Sequence, residues 1–188
     1  MFGKIKAKLT SLALVAIVFT LFTQGTLAYY VAFGKTTNVI TSGKIQFVIH
    51  ETTDRGTEFP KSGVYVKPGD VVSKQVSIEN ICVHPFYLRV KIVSGVEGRA
   101  LSAEECFKLN IDETKWQFVD GWYYYKGIVQ PGETTPYVFS EVKIAIQHSD
   151  ERYRGETLTL SVVAHAVQSE NNPVEGTNTF EALGWPQE

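Results

Sequence analysis

The chain has few cysteines and no surplus of basic residues, and each shortage excludes a class of protein. Two cysteines in 188 residues are too few for a disulfide-dense small scaffold or for a zinc site built from four thiolates. The net charge of −2 leaves no basic excess to neutralise a phosphate backbone, so nucleic acid is not an expected partner. The remaining composition, 44% hydrophobic and 20% charged, is that of a chain that folds around a packed core.

The first 28 residues are predicted to be a secretory signal peptide. Three lysines precede an apolar run over residues 9–22, and small residues follow up to Ala28. This order is typical of an exported precursor, and the run is shorter than the roughly 20 residues of a membrane span. We expect cleavage between Ala28 and Tyr29, with an uncleaved membrane anchor as the alternative. Residues 29–188 would then form the mature chain, with a net charge of −5 because three lysines and no acid are lost.

Most of the mature sequence alternates between apolar and polar residues with a period of two, which is typical of half-buried strands. The pattern recurs around Phe47, Val76, Val90 and Ile144, and it runs longest from Thr157 to Gln168. On this last segment the pattern places His165 on the face opposite the apolar side chains. Many short strands with little helix indicate an all-β domain over residues 29–188. We expect a jelly-roll or Greek-key β-sandwich.

Turn signals separate these segments. Asp120-Gly121 lies between two aromatic strand-like runs, where a type I′ hairpin turn needs two residues with positive φ. Lys67-Pro68-Gly69-Asp70 and Gln130-Pro131-Gly132-Glu133 each precede a long strand, and proline followed by glycine fits the two central positions of a tight turn. The repeated turn suggests an internal duplication.

Two segments depart from the strand pattern. Residues 102–108 carry a serine followed three residues later by a glutamate, which predicts a short capped helix. Residues 171–188 begin as a polar segment with glycine and proline, which predicts a loop and a C-terminal tail. Large apolar residues return near the end of this tail, and we expect them to dock on the sandwich rather than on a neighbour.

Few residues suggest chemistry. Cys82 and Cys106 are candidates for a disulfide, since two cysteines in one exported domain often pair, with two separate buried thiols as the alternative.

His50-Glu51 begins a sequence similar to a zinc-peptidase motif, but the second histidine is missing, so these two residues are only weak metal candidates. No metal, other cofactor or catalytic residue is predicted, and an enzyme is the less favoured reading. The aromatic run at residues 122–125 is a candidate sugar-binding platform, although such residues more often lie half in a core and half at a surface.

The new N-terminus is the most informative segment. Cleavage would expose Tyr29, Tyr30, Val31, Ala32 and Phe33, five apolar residues in a row at a position that is usually polar and loose. Such a segment needs a paired backbone. It can pair as an edge strand of its own domain, or it can add to the sheet of a neighbouring subunit. A head-to-tail contact of the second kind can propagate into a filament.

Several short motifs resemble the TasA/camelysin family of exported Gram-positive proteins. They are the Gly25-Thr26-Leu27-Ala28-Tyr29-Tyr30 junction, the Thr41-Ser42-Gly43-Lys44-Ile45 segment, the two proline-glycine turns, Trp122-Tyr123-Tyr124-Tyr125-Lys126-Gly127, and Ala166-Val167-Gln168 near the last strand. Together they span nearly the whole chain, and the junction is the most specific of them. The two cysteines are a departure from the family pattern.

The resemblance implies a function that the composition does not show. It implies cleavage by a SipW-type signal peptidase, a jelly-roll fold, and secretion to the matrix or cell surface of a Gram-positive bacterium. Residues 29–43 would be an N-terminal arm, with Tyr29 to Phe33 as a donor strand completing a neighbouring subunit. The expected function is a structural protein of the biofilm matrix that assembles into fibres or assists related matrix proteins. The alternatives are a camelysin-like cell-surface metalloendopeptidase and a carbohydrate-binding module.

Overall fold

The computed structural model of the chain describes residues 29–32, 37–38, 45–97, 104–146, 151–153 and 155–186. The predicted signal peptide, including Ala28, lies outside this part of the chain. Within the described residues, eleven strands form two sheets. They are β1 (Tyr29–Ala32), β2 (Thr37–Asn38), β3 (Phe47–Thr52), β4 (Val64–Val66), β5 (Val71–Asn80), β6 (Phe86–Val96), β7 (Phe107–Leu109), β8 (Trp116–Val119), β9 (Trp122–Tyr125), β10 (Phe139–Ile144) and β11 (Thr157–Gln168).

The large sheet has seven strands and is built around β11. Its strand order is β4-β1-β11-β6-β9-β8, and β2 also pairs with β11. Antiparallel pairing joins β6 to β11 from Phe86 opposite Gln168 to Val96 opposite Leu158. The small sheet has four antiparallel strands in the order β3-β5-β10-β7. The expectation of an all-β fold is therefore confirmed.

The two sheets enclose one hydrophobic core. Side chains at alternating positions of β3, β5 and β10 meet those of β6 and β11, as the period-two pattern predicts. Ile78, Leu88 and Leu158 are fully buried at this contact. Burying an apolar side chain of this size stabilises the fold by about 1.5–3 kcal/mol.

The hairpin and turn predictions are confirmed by backbone geometry. Asp120 and Gly121 have φ of 47° and 83°, as a type I′ turn between β8 and β9 requires. Gly69 and Gly132 have φ of 89° and 76°, which is the left-handed region that glycine adopts without steric cost. In each proline-glycine turn the acidic side chain accepts a hydrogen bond from the backbone N–H three residues earlier, Lys67 for Asp70 and Gln130 for Glu133.

These two turns also make reciprocal contacts with the paired strands β5 and β10. The turn before β5 bonds to the end of β10, since Gly69 N–H donates to the Ile144 carbonyl at 2.9 Å. The turn before β10 bonds to the end of β5, since Gly132 N–H donates to the Asn80 carbonyl at 2.8 Å. The repeated sequence motif therefore occupies equivalent positions at opposite ends of one strand pair.

The helix prediction over residues 102–108 is wrong in its described part. Only Glu104–Cys106 forms a single turn of 3-10 helix, and Phe107 already begins β7. The strand prevails because Phe107 is buried in the core and β7 pairs with β10. Two further short 3-10 helices lie at Glu151–Tyr153 and Thr179–Glu181. Within the described residues, no helix has the length and apolar character needed to cross a membrane.

Candidate functional site

The N-terminal strand β1 lies inside the large sheet and not at its edge. On one side it runs parallel to β11, with Tyr30 opposite Thr157 and Ala32 opposite Thr159. On the other side it runs antiparallel to β4, with Tyr30 opposite Tyr65. Residues 29–32 therefore fill a slot, one strand wide, between β4 and β11. Aromatic and β-branched residues at positions 29–31 suit a strand in this position.

The large sheet depends on β1 for its continuity between β4 and β11. The short strand β4 joins the large sheet through β1, and its Val66 side chain is buried in the common core. Without β1, backbone groups of β4 and of β11 at Thr157 to Thr159 would lose their sheet partners. Unpaired strand edges of this kind bind other strands readily. The slot is thus a site that either this chain's own N-terminal segment or an equivalent segment can fill.

The N-terminal segment continues along β11 beyond β1. Strand β2 also runs parallel to β11, with Thr37 opposite Val163 and Asn38 opposite Ala164. The chain then re-enters the body of the domain at Ile45, which is buried in the core. Strands β1 and β2 thus both lie along β11.

This geometry locates the predicted donor-strand residues. Tyr29, Tyr30, Val31 and Ala32 form β1 within the chain's own sheet, while Phe33 lies outside the described residues. Of the two pairings that the sequence leaves open, the structure presents the one within the chain. The pairing involves backbone groups, so residues 29–32 of a second copy could make the same register with β4 and β11.

His50 and Glu51 do not form a joint site. They are neighbours on β3 and therefore point to opposite faces of the small sheet. The His50 ring contacts Glu79 at 2.7 Å on the outer face. Glu51 turns inward and pairs with Lys74, with 3.0 Å between Oε1 and Nζ. Among the described residues, no group of three His, Cys, Asp or Glu side chains is placed to hold a metal ion.

The disulfide expected between Cys82 and Cys106 is not formed in the structure. Both residues are reduced cysteines, and both are buried in the common core. Cys82 lies in the turn after β5, where its thiol donates to the His84 carbonyl at 3.0 Å. Cys106 lies in the 3-10 turn that precedes β7. The alternative of two separate buried thiols describes this structure.

The aromatic run at β9 is covered on both faces. Trp122 and Tyr124 are only 5% and 6% exposed, so their rings are not presented to solvent as a sugar-binding platform would be. Tyr123 and Tyr125 turn toward the core, and burial raises the pKa of both phenols. The face of β9 that carries Trp122 and Tyr124 is thus buried, and the face that carries Tyr123 and Tyr125 is half-buried against the core.

Arg89 organises the covered outer face. Its guanidinium lies 4.0 Å from the Trp122 ring centroid and 5.0 Å from that of Trp185. It also donates to the Tyr124 hydroxyl at 3.1 Å and to the Pro186 carbonyl at 2.6 Å. Arg89 therefore ties the C-terminal tail to the large sheet.

His165 lies on the outer face of β11, as the alternating pattern predicts, but the C-terminal tail covers it and leaves it only 8% exposed. Its Nδ1 is 3.1 Å from the Arg89 guanidinium, and its ring lies 4.5 Å from that of Trp122. The tail also docks through Thr179, whose hydroxyl donates to the Tyr125 carbonyl at 2.8 Å. The expected docking of the tail is observed, although Leu183 remains 78% exposed.

Sequence reasoning missed three buried polar residues that organise the domain, Lys74, Asn80 and Arg89. Lys74 carried a detectable signal, because it interrupts the inward-facing series of Val72, Val76 and Ile78. Arg89 carried none, since the groups that it binds are distant in the sequence. Asn80 binds Cys82 and His84 nearby, but its bond to the Val129 carbonyl joins a loop that is distant in the sequence.

No family model matches the chain, and no curated protein and no solved structure is detectably similar to it. The arrangement of its own residues is therefore the basis for a function. The described feature that favours one function is the slot between β4 and β11 together with the strand β1 that fills it.

Proposed function

We propose that this chain is a secreted structural protein that assembles by exchanging its N-terminal strand between copies. In this proposal the signal peptide is removed after Ala28, and Tyr29, Tyr30, Val31, Ala32 and Phe33 form the donor strand. The domain is a sandwich of the jelly-roll kind. The product is a fibre of the extracellular matrix or cell surface of a Gram-positive bacterium, with related matrix proteins as further partners.

The observation that carries the proposal is the position of β1. Residues 29–32, which become the chain terminus once the signal peptide is removed, occupy an internal place in the sheet and are paired on both edges. When identical copies swap such an element, each recovers the same pairings, so the exchange costs little beyond the loss of translational freedom. Exchange into a neighbour then extends the assembly whenever the contact does not close on itself.

Truncation tests this proposal. The protein starting at Tyr29 is compared with one starting at Gly34, by negative-stain microscopy for filaments and by circular dichroism for folding. We expect the longer protein to assemble and the shorter one to keep its β-sheet spectrum while remaining monomeric. Filaments from the shorter protein would show that the donor assignment is wrong.

A second variant covers the case in which the shorter protein unfolds. Val31→Pro keeps the chain length but removes a backbone N–H and imposes a φ that a central strand tolerates poorly. We expect this variant to fold around the intact core and to fail to assemble. A matched proline placed at Phe2, within the predicted signal peptide, should leave the processed protein unchanged if cleavage follows Ala28.

A further inference from the structure

Apolar side chains are exposed at the end of the sandwich where the N-terminal segment enters the domain. Nine large hydrophobic residues are exposed in the described part of the chain, and four of them lie at this end. They are Ile81, Val83, Ile128 and Leu183, exposed by 50%, 79%, 40% and 78%. We call these four residues the apolar end. Exposed apolar residues that are grouped in this way mark contact surfaces more often than isolated ones do.

Hydrogen bonds fix the members of the apolar end near one another. Ile81 N–H donates to the Gln46 carbonyl at 3.1 Å, next to the point where Ile45 enters the core. The Asn80 side chain donates to the carbonyls of both His84 and Val129, which holds the turn containing Val83 against the loop containing Ile128. These bonds place three of the four residues beside the entry point.

Leu183 joins the same end from the C-terminal tail. It lines a cavity of about 350 Å³ together with Ile45 and Val167. The tail is tied to this end by Ser169, whose N–H donates to the Pro85 carbonyl at 3.2 Å. The His84 ring also contacts the Glu170 carboxylate at 3.1 Å. The apolar end is therefore formed by three separate stretches of chain around the start of β3.

The reach of the chain limits where an exchanging copy can sit. Six residues, 39–44, connect Asn38 in β2 to Ile45. Seven residue steps span at most about 25 Å. If residues 29–38 of one copy occupy the slot of another, the donor's Ile45 lies within that distance of the acceptor's Ala164. The connecting residues take up about 13 Å of this reach in passing the four residues of β11 that follow Ala164. The reach that remains is short, so the two domains must be in contact.

We propose that the apolar end is the surface on which two copies of this chain meet during strand exchange. The inference rests on the proposed function, because the exchanged segment brings the copies together. The exchanged segment of the donor copy joins its own domain at Ile45, beside the donor's apolar end. The acceptor's slot opens toward the acceptor's apolar end. The two apolar ends therefore face each other, so the same surface lies on both sides of the contact. Because the same surface faces itself, the contact is two-fold symmetric and closes a pair of copies, and it buries Val83 and Ile128 of both copies away from water.

Charge substitution tests the contact. In the protein starting at Tyr29, the double variant Val83→Asp with Ile128→Asp places acidic groups opposite each other across the contact. Like charges in such a position oppose association. We expect at least a tenfold increase in the dissociation constant for self-association, measured by sedimentation velocity.

The matched control is Val71→Asp. Val71 is also an exposed valine, at 56%, but it begins β5 at the end opposite Asn80. This variant should associate as the unsubstituted protein does. Equal association of the double variant and the control would overturn the inference while leaving strand exchange in place.

The remaining outcomes separate the two proposals. Loss of association in the double variant, together with association that persists in the chain starting at Gly34, would support the contact surface and overturn the donor strand. An unsubstituted protein that stays monomeric at several hundred micromolar would overturn both.

Discussion

Lys74 Nζ lies 3.0 Å from Glu51 Oε1 in the interior of the sandwich. The lysine side chain is fully buried and the glutamate side chain is 15% exposed, and the Phe59 ring centroid lies 5.1 Å from the ammonium group. A buried cation is tolerated only when a partner offsets its loss of hydration. This pair joins β3 to β5 on the core side of the small sheet.

Glu51→Ala should therefore destabilise the protein strongly. The substitution leaves the buried lysine without its carboxylate, and we expect a loss of about 3 kcal/mol or more in the free energy of unfolding. The control is Glu79→Ala, which removes a carboxylate from the half-exposed pair with His50 and should cost about 0.5 kcal/mol. Urea denaturation at pH 7 measures both losses, and equal losses would contradict a structural role for the inner pair.

Because of the same pair, the free energy of unfolding depends on pH in the alkaline range. Burial lowers the pKa of Lys74 below its ordinary value of 10.5, and Glu51 offsets this only in part. Between the lowered pKa and 10.5, the folded state binds fewer protons than the unfolded state, so the free energy of unfolding rises with pH. In Lys74→Met the free energy of unfolding should not show this increase with pH, because the titrating group is absent. The difference between wild type and Lys74→Met in urea titrations should increase with pH across this window, and a constant difference would refute the lowered pKa.

Asn80→Ala should remove the polar junction that joins the turn after β5 to the loop containing Val129. The buried Asn80 amide donates to the carbonyls of His84 and Val129 and accepts from Cys82 N–H, each at 2.9 Å. Unsatisfied buried groups remain after the substitution, and we expect a loss of about 3 kcal/mol. The control is Asn110→Ala, since exposed Asn110 makes a similar number of side-chain hydrogen bonds that water can replace. It should cost about 1 kcal/mol in the same denaturation assay, and equal costs would argue against burial as the cause.

Arg89→Met should release the C-terminal tail. The substitution removes the hydrogen bond to the Pro186 carbonyl and the cation contact with Trp185, while keeping an apolar chain over Trp122. Hydrogen exchange of residues 178–186 should then become at least tenfold faster. Lys91→Met is the control, because its ammonium lies 5.6 Å from the same Trp122 ring. Similar exchange in both variants would show that Arg89 does not hold the tail.

The local part of the fold was predictable from the sequence, and the nonlocal part was not. The limits of β11 agree with its alternating pattern, because one strand with one buried face has a strict period. The Asp120-Gly121 hairpin agrees because its turn needs only two residues. His165 obeys the same period, yet it is buried by a tail that no local pattern could place against it.

The candidate site shows the same division. The apolar character of residues 29–33 indicated a strand that needs a partner, but its place between β4 and β11 depends on residues more than thirty and more than one hundred positions away. His50 and Glu51 are adjacent in the sequence and resemble part of a motif, but the pleat of β3 directs their side chains to opposite faces of the small sheet. Lys74 was detectable, because it stands at an inward-facing position of an otherwise apolar series, but its partner Glu51 lies on another strand.

The parallel register of Tyr30 with Thr157 offers the most direct test of strand exchange. Two single variants, Tyr30→Cys and Thr157→Cys, are mixed under assembly conditions and oxidised, and the products are separated on a non-reducing gel. Strand exchange predicts a covalent species that contains one copy of each variant and is absent when either variant is oxidised alone. A disulfide that forms only when both substitutions lie in one chain would show that the strand stays in its own domain, and would rule out strand exchange.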